Sequence, residues 1–313
     1  MASYSKRLRA FWKFRNIMKE LKAVDICMEL RDLLLVNSKV LKVHSVFDTA
    51  VNIVSNDIFF TLLSDMRCLY PMSCRVLNNF PFTKSGIKED MEVIASGNSL
   101  IIPSANIDIN LKDALDCDLS FVKHTGLLVP KDLSLKVEIL KRLIGEKGCE
   151  YDLSTLVTGK YKNPYSEFLM KRLPGLNEAI KKKDIQAGEH AEGLAGCGIG
   201  LTPSSDDMLI GYMSACLADT KAKGYDCEEI YKITYAMGNK AAKRTNIISG
   251  AFLKQCGMGL LSQDMTGLLC TIYSDADTGI LEKSAERILN FGSTSGTDML
   301  TGVVLAIVNL NGL

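Results

Sequence analysis

The sequence predicts an α+β fold, in which a β-rich N-terminal part is followed by a C-terminal helical bundle. From residue 33 to about 124, short runs rich in Val, Ile, Phe and Thr alternate with turn-forming residues, a texture typical of strands. After Pro130 the apolar spacing lengthens to that of helices and stays so. Because the two textures follow one another instead of alternating, we expect two domains, 1–130 and 131–313, and no βαβ repeat.

The composition is that of a globular chain. Of its 313 residues, 47% are apolar. The 37 basic and 36 acidic residues leave a formal charge of +1, so no overall electrostatic field draws the protein to nucleic acid, membrane or a polyanion. The absence of a long apolar run, and a charged start instead of a signal peptide, lead us to expect a cytoplasmic protein. Ten cysteines without a Cys-x-x-Cys pair and three scattered histidines argue against structural zinc.

The β-rich part begins with a segment, Leu8–Leu21, that mixes basic and apolar residues and predicts an amphipathic helix. Such a helix packs on its own domain or a partner subunit, or less often lies on a membrane surface. Strand patterns follow at 41–47, 56–62, 91–95 and 100–102, with a turn at Ser96–Ser99.

The helical part is expected to start with a helix that Asp132 caps and that Gly145 and Gly148 close. A lysine-rich stretch ending near Lys181–Lys183 predicts a solvated helix end or a linker. Beyond it the apolar pattern predicts helices at about 206–222, 226–256, 262–274, 280–290 and 297–309.

The most distinctive segment is Gly193–Asp207, GLAGCGIGLTPSSDD, which leads directly into an apolar helix. Four glycines in eight residues permit positive φ angles and a close approach of the backbone to a ligand. Thr202, Ser204 and Ser205 are good N-cap residues, and a helix start suits a phosphate or carboxylate. There is no Walker lysine, which disfavours a nucleotide-binding phosphotransferase. Alone, the loop fits equally well a packing loop whose polar residues only cap the helix.

A second segment near the C-terminus repeats this pattern. Aligning Asp298 with Asp207 also aligns a serine three positions earlier and the Met-Leu-x-Gly run that begins one position later. Because a glycine within a helix costs about 1 kcal/mol relative to alanine, Gly211 and Gly302 predict close contact between the two helices. We expect the helices to cross near their N-termini and to direct both loops at one pocket; the alternative is two ordinary N-caps.

Asp206, Asp207 and Asp298 would add negative charge to a site predicted to bind anions. Two alternatives reconcile these features. The carboxylates hold Mg²⁺, which bridges to phosphate, or they accept hydrogen bonds from the N–H groups of a urea or amide substrate while the loop amides hold its anionic end. No other cofactor is predicted.

Three further positions are candidates. On a helix, Thr245 and Ser249 would share one face, as would Lys240 and Arg244, and Arg244 could clamp a phosphate. His44, after a strand pattern, is a candidate general acid–base or a structural residue that joins the two parts.

The block from Gly196 to Asp207 resembles the signature of a bacterial family of domains of unknown function, one member of which is the AllH subunit of oxamate carbamoyltransferase. Val43–Phe47 with Ala50–Asn52 is similar to the N-terminal block of that family, and the segments around Thr245 and Asp298 also fit its pattern. The resemblance runs from about residue 43 to 306. The sequence departs from the family at Ile199, where proline is usual, and at Ser205, where glycine is usual.

The resemblance implies a heteromeric complex with an FdrA-like subunit and another companion, which transfers a carbamoyl group between oxamate and phosphate during breakdown of allantoin and related purine products. In that scheme we expect the backbone amides of Gly198, Gly200, Leu201 and Thr202 to bind phosphate or a carboxylate. We expect Ser204, Asp206 and Asp207 to orient the carbamoyl nitrogen or a metal. The alternative is a non-catalytic scaffold or ligand-binding subunit.

The candidate residues form two sets. The catalytic candidates are Asp206, Asp207, Asp298 and His44. The candidate substrate-binding residues are Gly198, Gly200, Leu201, Thr202, Ser204, Ser205, Arg244, Thr245, Ser249, Ser295 and Gly296.

Overall fold

The computed structural model describes residues 18–35, 39–55, 58–160 and 162–313. Two compact units divide this part of the chain, one ending at Leu119 and the other spanning Ser120–Leu313. The predicted α+β fold is confirmed, with strands in the first unit and helices in the second. Among the helices described, none combines the length and the apolar character needed to cross a membrane.

The first unit is a closed sheet. Among its described residues the strands are β1 (Lys19–Cys27), β2 (Lys39–Val46), β3 (Ala50–Val54), β4 (Phe59–Ser64), β5 (Ser73–Leu77), β6 (Glu92–Ser96), β7 (Ser99–Ile102), β8 (Ile107–Asn110) and β9 (Leu115–Cys117). Their order is β5-β4-β3-β2-β6-β7-β8-β1-β9, and β1 also pairs with β5, so the first eight strands close into a barrel. The turn predicted between β6 and β7 is present, with Gly97 at φ 59°. In the described part of this unit, one α-helix, α1 (Met28–Leu35), follows β1.

The predicted N-terminal helix falls mostly on residues 1–17, which lie outside the described residues. Its last part is wrong, because Lys19, Glu20 and Leu21 belong to strand β1. Leu21, Ala23 and Asp25 point inward while lysines and a glutamate occupy exposed positions, which is the alternation of a strand with one buried face.

The second unit contains eleven α-helices among its described residues. They are α2 (Leu133–Lys147), α3 (Thr155–Thr158), α4 (Pro164–Met170), α5 (Leu173–Lys181), α6 (Ala187–Leu194), α7 (Ser204–Ala222), α8 (Glu228–Ala241), α9 (Ile247–Gly257), α10 (Gln263–Ile272), α11 (Thr278–Leu289) and α12 (Ser295–Asn311). Helix α2 runs through Gly145 and ends at Gly148, whose amide donates to the carbonyl of Ile144 (2.7 Å). Of the two alternatives predicted for the lysine-rich stretch, the solvated helix end is confirmed: Lys181–Lys183 are exposed where α5 ends, and much of the segment before them is helical as α4 and α5.

The helix predicted over 226–256 is wrong as a single element. Helix α8 ends at Ala241, and a 3₁₀ turn leads to Thr245, which is extended (φ −134°, ψ −178°). Asn246 then caps α9, since its side chain accepts hydrogen bonds from the amides of Ile248 and Ser249, both at 3.0 Å. This capping starts a new helix, so Thr245 and Ser249 do not share a helical face.

Helices α7 and α12 cross in close contact. A Cβ atom added at Gly211 would lie 1.9 Å from the carbonyl oxygen of Met299, and one added at Gly302 would lie 1.9 Å from that of Met208. Each glycine therefore admits the backbone of the opposite helix, and the close contact predicted from the repeated motif is confirmed.

Candidate functional site

The loop between α6 and α7 meets the start of α12. The Thr202 hydroxyl donates to Asp207 Oδ2 (2.9 Å) and lies 3.1 Å from the Ser295 hydroxyl. Asp207 and Asp298 are near enough that the charge of Asp207 raises the pKa of Asp298. The two similar segments, whose aspartates are 91 positions apart in the chain, thus come together in space.

Three glycines in the left-handed region shape the loop: Gly196 at φ 76°, Gly198 at 130° and Gly200 at 104°. A Cβ atom at Gly196 would lie 2.4 Å from the carbonyl oxygen of Arg244, and one at Gly198 would lie 2.4 Å from the amide nitrogen of Ser204. Both glycines are therefore required by positive φ and by crowding, whereas Gly200 is required by φ alone.

No side chain caps either helix start. Pro203 occupies the N-cap of α7 and Thr294 that of α12, and neither makes a side-chain capping bond. The capping roles predicted for Thr202, Ser204 and Ser205 are wrong, because Pro203 holds the cap position and Ser205 binds back to the loop instead. Its amide donates to the Cys197 carbonyl (2.9 Å) and its hydroxyl accepts from the Cys197 amide (2.8 Å).

The tip of the loop presents backbone donors. Within the described residues, the amides of 198–202 donate no hydrogen bond to a protein acceptor, and Gly200 and Leu201 are exposed. The carbonyl of Leu201 is held by the side-chain amide of Asn246 (2.8 Å), which fixes the loop beside the start of α9.

Asp206 ties this loop to α9. Fully buried, it accepts hydrogen bonds from the Gly196 amide (2.7 Å) on one oxygen and from the hydroxyls of Thr245 (2.5 Å) and Ser249 (2.7 Å) on the other. Thr245 and Ser249 are thus brought together as predicted, but through Asp206 and not by a shared helical face. All three side chains are engaged within the protein.

Asp207, the next residue, is also buried, with 3% of its surface exposed. Its pKa is raised to about 8: burial is the largest cause, the charge of Asp206 adds to it, and the hydroxyls of Ser295 and Thr202 offset part of the rise. At neutral pH the Asp207 carboxyl therefore retains its proton in most molecules and can donate a hydrogen bond.

Asp298 is also buried, and burial raises its pKa well above the usual value. One of its oxygens accepts from the Leu153 amide (2.7 Å), while the other has no hydrogen-bond partner. Sequence reasoning missed Leu153 because a backbone amide carries no signal in the side-chain pattern.

The remaining candidates lie in distinct settings. Gly296 is packed against α11, where an added Cβ would lie 2.0 Å from the Ile288 carbonyl oxygen, and its amide donates to Phe291 (2.9 Å). Arg244 has its backbone against Gly196 and an exposed side chain. His44 lies on β2 in the first unit, exposed, with Nδ1 3.2 Å from the Ser45 hydroxyl.

Metal ligation was one of two alternatives for the acidic residues. In the part of the chain that the structure describes, no group of three or more His, Cys, Asp or Glu side chains is arranged to hold a metal ion.

Two family models match the chain and together cover most of it. Residues 194–307, which include both helix starts, match the model described as oxamate carbamoyltransferase subunit AllH, and residues 22–116 match the N-terminal domain of the AllH family. The resemblance noted from the glycine-loop block is thereby confirmed. No solved structure matches the chain.

Proposed function

This chain belongs to the AllH family, and from that premise we propose that it is a carbamoyltransferase subunit that binds its small anionic substrate where α7 and α12 begin. The observation that carries the proposal is the meeting of the two helix starts, with unengaged loop amides on one side and a buried carboxyl of raised pKa between them.

The anionic end of the substrate, phosphate or a carboxylate, binds the amides of the loop tip. Helix starts attract anions because the amides of their first turn have no intrahelical partner and the helix dipole adds partial positive charge. The donors here are the free amides of Gly198, Gly200, Leu201 and Thr202, which immediately precede the first turn of α7, because the amides of Ser205, Asp206 and Asp207 are already engaged within the protein. Arg244, whose backbone carbonyl faces Gly196 and whose side chain is exposed, is the candidate counter-charge.

The raised pKa of Asp207 reconciles an acidic residue with an anion site. A neutral carboxyl does not repel a bound anion, and it can give its proton to a group that gains negative charge. When phosphate attacks the carbamoyl carbon, a C–O bond forms, the C–N bond to the oxamate nitrogen breaks, and that nitrogen requires a proton. Asp207 is the donor in this proposal, and the loop amides stabilise the charge on the reacting oxygens.

Asp206 has a positioning role. Four protein donors, the Gly196 amide and the hydroxyls of Ser205, Thr245 and Ser249, occupy its two oxygens, which favours hydrogen bonding over Mg²⁺ ligation for this residue. Asp206 holds the loop in the shape that exposes the amides.

The companions are an FdrA-like subunit and a further subunit, and the reaction belongs to the breakdown of allantoin and related purine products. The proposal of companion subunits is supported by the description of the matched family, which names a subunit of an enzyme.

Turnover of the reconstituted complex tests the proposal. Asp207→Asn preserves size and neutrality but removes the acidic proton, and it should lower kcat by about 100-fold or more with an unchanged thermal transition. Thr202→Ala should also lower activity. Full activity in both variants would reject the catalytic role and favour the alternative, a non-catalytic scaffold. In that alternative, loop substitutions leave turnover unchanged, and removal of residues 1–17, which spares strand β1, breaks the complex.

A further inference from the structure

A group of buried polar atoms beside the loop has no hydrogen-bond partner. Among the described residues these include Ser204 Oγ, Asp298 Oδ2 and Thr301 Oγ1, and the three residues are at most 1% exposed. Nearly all buried polar groups in folded proteins are hydrogen-bonded, so several unpartnered atoms close together indicate a site that receives a polar ligand or ordered water.

These atoms lie in one region. The Ser204 hydroxyl is close enough to Asp298 to lower its pKa, although the two groups do not meet the geometry of a hydrogen bond. The same hydroxyl lies 3.1 Å from the position of a Cβ added at Gly198, so it is next to the glycine loop. Thr301 follows Asp298 by three residues on α12, a spacing that places two side chains on one helix face.

The turn before α3 contacts the other carboxyl oxygen of Asp298, Oδ1. Leu153 donates its amide to Asp298 Oδ1, and the hydroxyls of the next two residues, Ser154 and Thr155, are also buried without partners. Asp298 is therefore met by two other segments of the chain, one at Ser204 beside the glycine loop and one at Leu153, where two further unpartnered hydroxyls follow in sequence.

The surroundings of Asp298 select against an anion. Among the described residues, the hydrogen bonds to Asp298, Asp207 and Asp152 come from backbone amides and a hydroxyl, and none comes from a cationic side chain. A carboxylate buried here would have no counter-charge, at a high desolvation cost. A carboxamide is neutral and offers both a carbonyl acceptor and N–H donors, which match hydroxyls and a carboxyl that can each donate and accept.

We infer that Ser204, Asp298 and Thr301 form the carboxamide end of the substrate site, and that Thr301 is a specificity-determining residue that favours a neutral amide over a carboxylate. This inference rests on the proposed function, in which the anionic end of the same substrate binds the loop amides. Thr301 was absent from the sequence-based candidates because it stands in an apolar helical run, where a threonine gives no sign of a site.

Oxamate and oxalate are the probes, because they differ only by an amide in place of a carboxylate. Binding of each to the full chain is measured by titration calorimetry and thermal shift, with phosphate as a third ligand. The wild type should bind oxamate in preference to oxalate. Thr301→Val keeps the shape and removes a hydroxyl that has no partner, so the free variant should unfold at an equal or higher temperature while its Kd for oxamate rises by about tenfold. Ser204→Ala should behave in the same way.

Thr234→Val is the matched control. Thr234 is also fully buried, but its hydroxyl donates to the Gly257 carbonyl (3.1 Å), so this variant should unfold at a lower temperature and bind oxamate as the wild type does.

The outcomes separate the inference from the proposed function. If phosphate stabilises the chain but oxamate does not, or if Thr301→Val keeps the oxamate affinity and the preference over oxalate, the inference is overturned and the loop site stands. If Thr301→Val lowers the unfolding temperature without changing oxamate binding, the region holds structural water only, which also overturns it. If neither phosphate nor oxamate binds the wild type, both fail.

Discussion

Replacing Gly211 by alanine is expected to destabilise the helical unit by forcing α7 and α12 apart. The added Cβ would lie 1.9 Å from the Met299 carbonyl oxygen, whereas ordinary contact begins near 3.4 Å, so the backbones must separate by about 1.5 Å. The obstacle is a backbone carbonyl, which cannot rotate away as a side chain would.

The magnitude follows from two opposing terms. Overpacking of this kind costs about 3 kcal/mol, the upper end of the usual range, and alanine returns about 1 kcal/mol through its better helix propensity. The net loss of about 2 kcal/mol corresponds to a fall in Tm of roughly 4–8 °C for a unit of this size.

Scanning calorimetry of the full chain measures this change, with Gly267→Ala as the matched control. Gly267 lies within α10, and an added Cβ there meets nothing within 4 Å. This variant therefore gains only the better helix propensity of alanine, and its Tm should rise by roughly 1–4 °C. Gly302→Ala should match Gly211→Ala, and the double variant should lose less than the sum, because one separation relieves both contacts. A Tm for Gly211→Ala at or above that of the control would refute the close crossing.

Three further outcomes are expected. The pKa of Asp207 is raised to about 8 in the folded chain, so its protonated carboxyl contributes fully to the free energy of unfolding below about pH 4, and this contribution is lost as the pH rises through 8. Urea unfolding should show the free energy of unfolding falling across this range. The fall should be smaller in Asp207→Asn. Asp206→Ala should lower stability by about 1–3 kcal/mol and increase amide exchange in the loop, because the buried Ser249 hydroxyl and two partly buried donors, the Gly196 amide and the Thr245 hydroxyl, lose their acceptor. Unchanged exchange would contradict its positioning role. Burial and the charge of Asp206 raise the pKa of the Cys197 thiol, so iodoacetamide should label this thiol slowly at pH 7. For the same reason the turnover of Cys197→Ala should stay within about threefold of the wild-type value. Loss of turnover would indicate a nucleophilic cysteine.

The central helix pair was predictable from sequence because its signals are local and repeated. Each helix start carries a small-residue loop, an aspartate in the first turn and a glycine four residues on, and the glycines predict the backbone contact that α7 and α12 make. The β-rich part was predictable for a similar reason, since turn residues separate its strands.

Other features depend on tertiary context. Strand β1 has lysine and glutamate on its exposed face, which obscures its alternation, and the break between α8 and α9 depends on a cap at Asn246 within a polar run. The different roles of Asp206 and Asp207, adjacent in sequence, arise from which hydroxyls and amides the fold brings to each. No side-chain pattern could have identified the Leu153 amide as a partner of Asp298.

The proton on Asp207 is the point on which the proposed mechanism depends, and carbon NMR of the chain labelled at its aspartate carboxyls observes it directly. One buried carboxyl, assigned by its loss in Asp207→Asn, should titrate near pH 8, and its resonance should shift when oxamate is added. If that carboxyl titrates below about pH 5, as an ordinary aspartate does, or does not respond to the ligand, Asp207 is not the proton donor of this site.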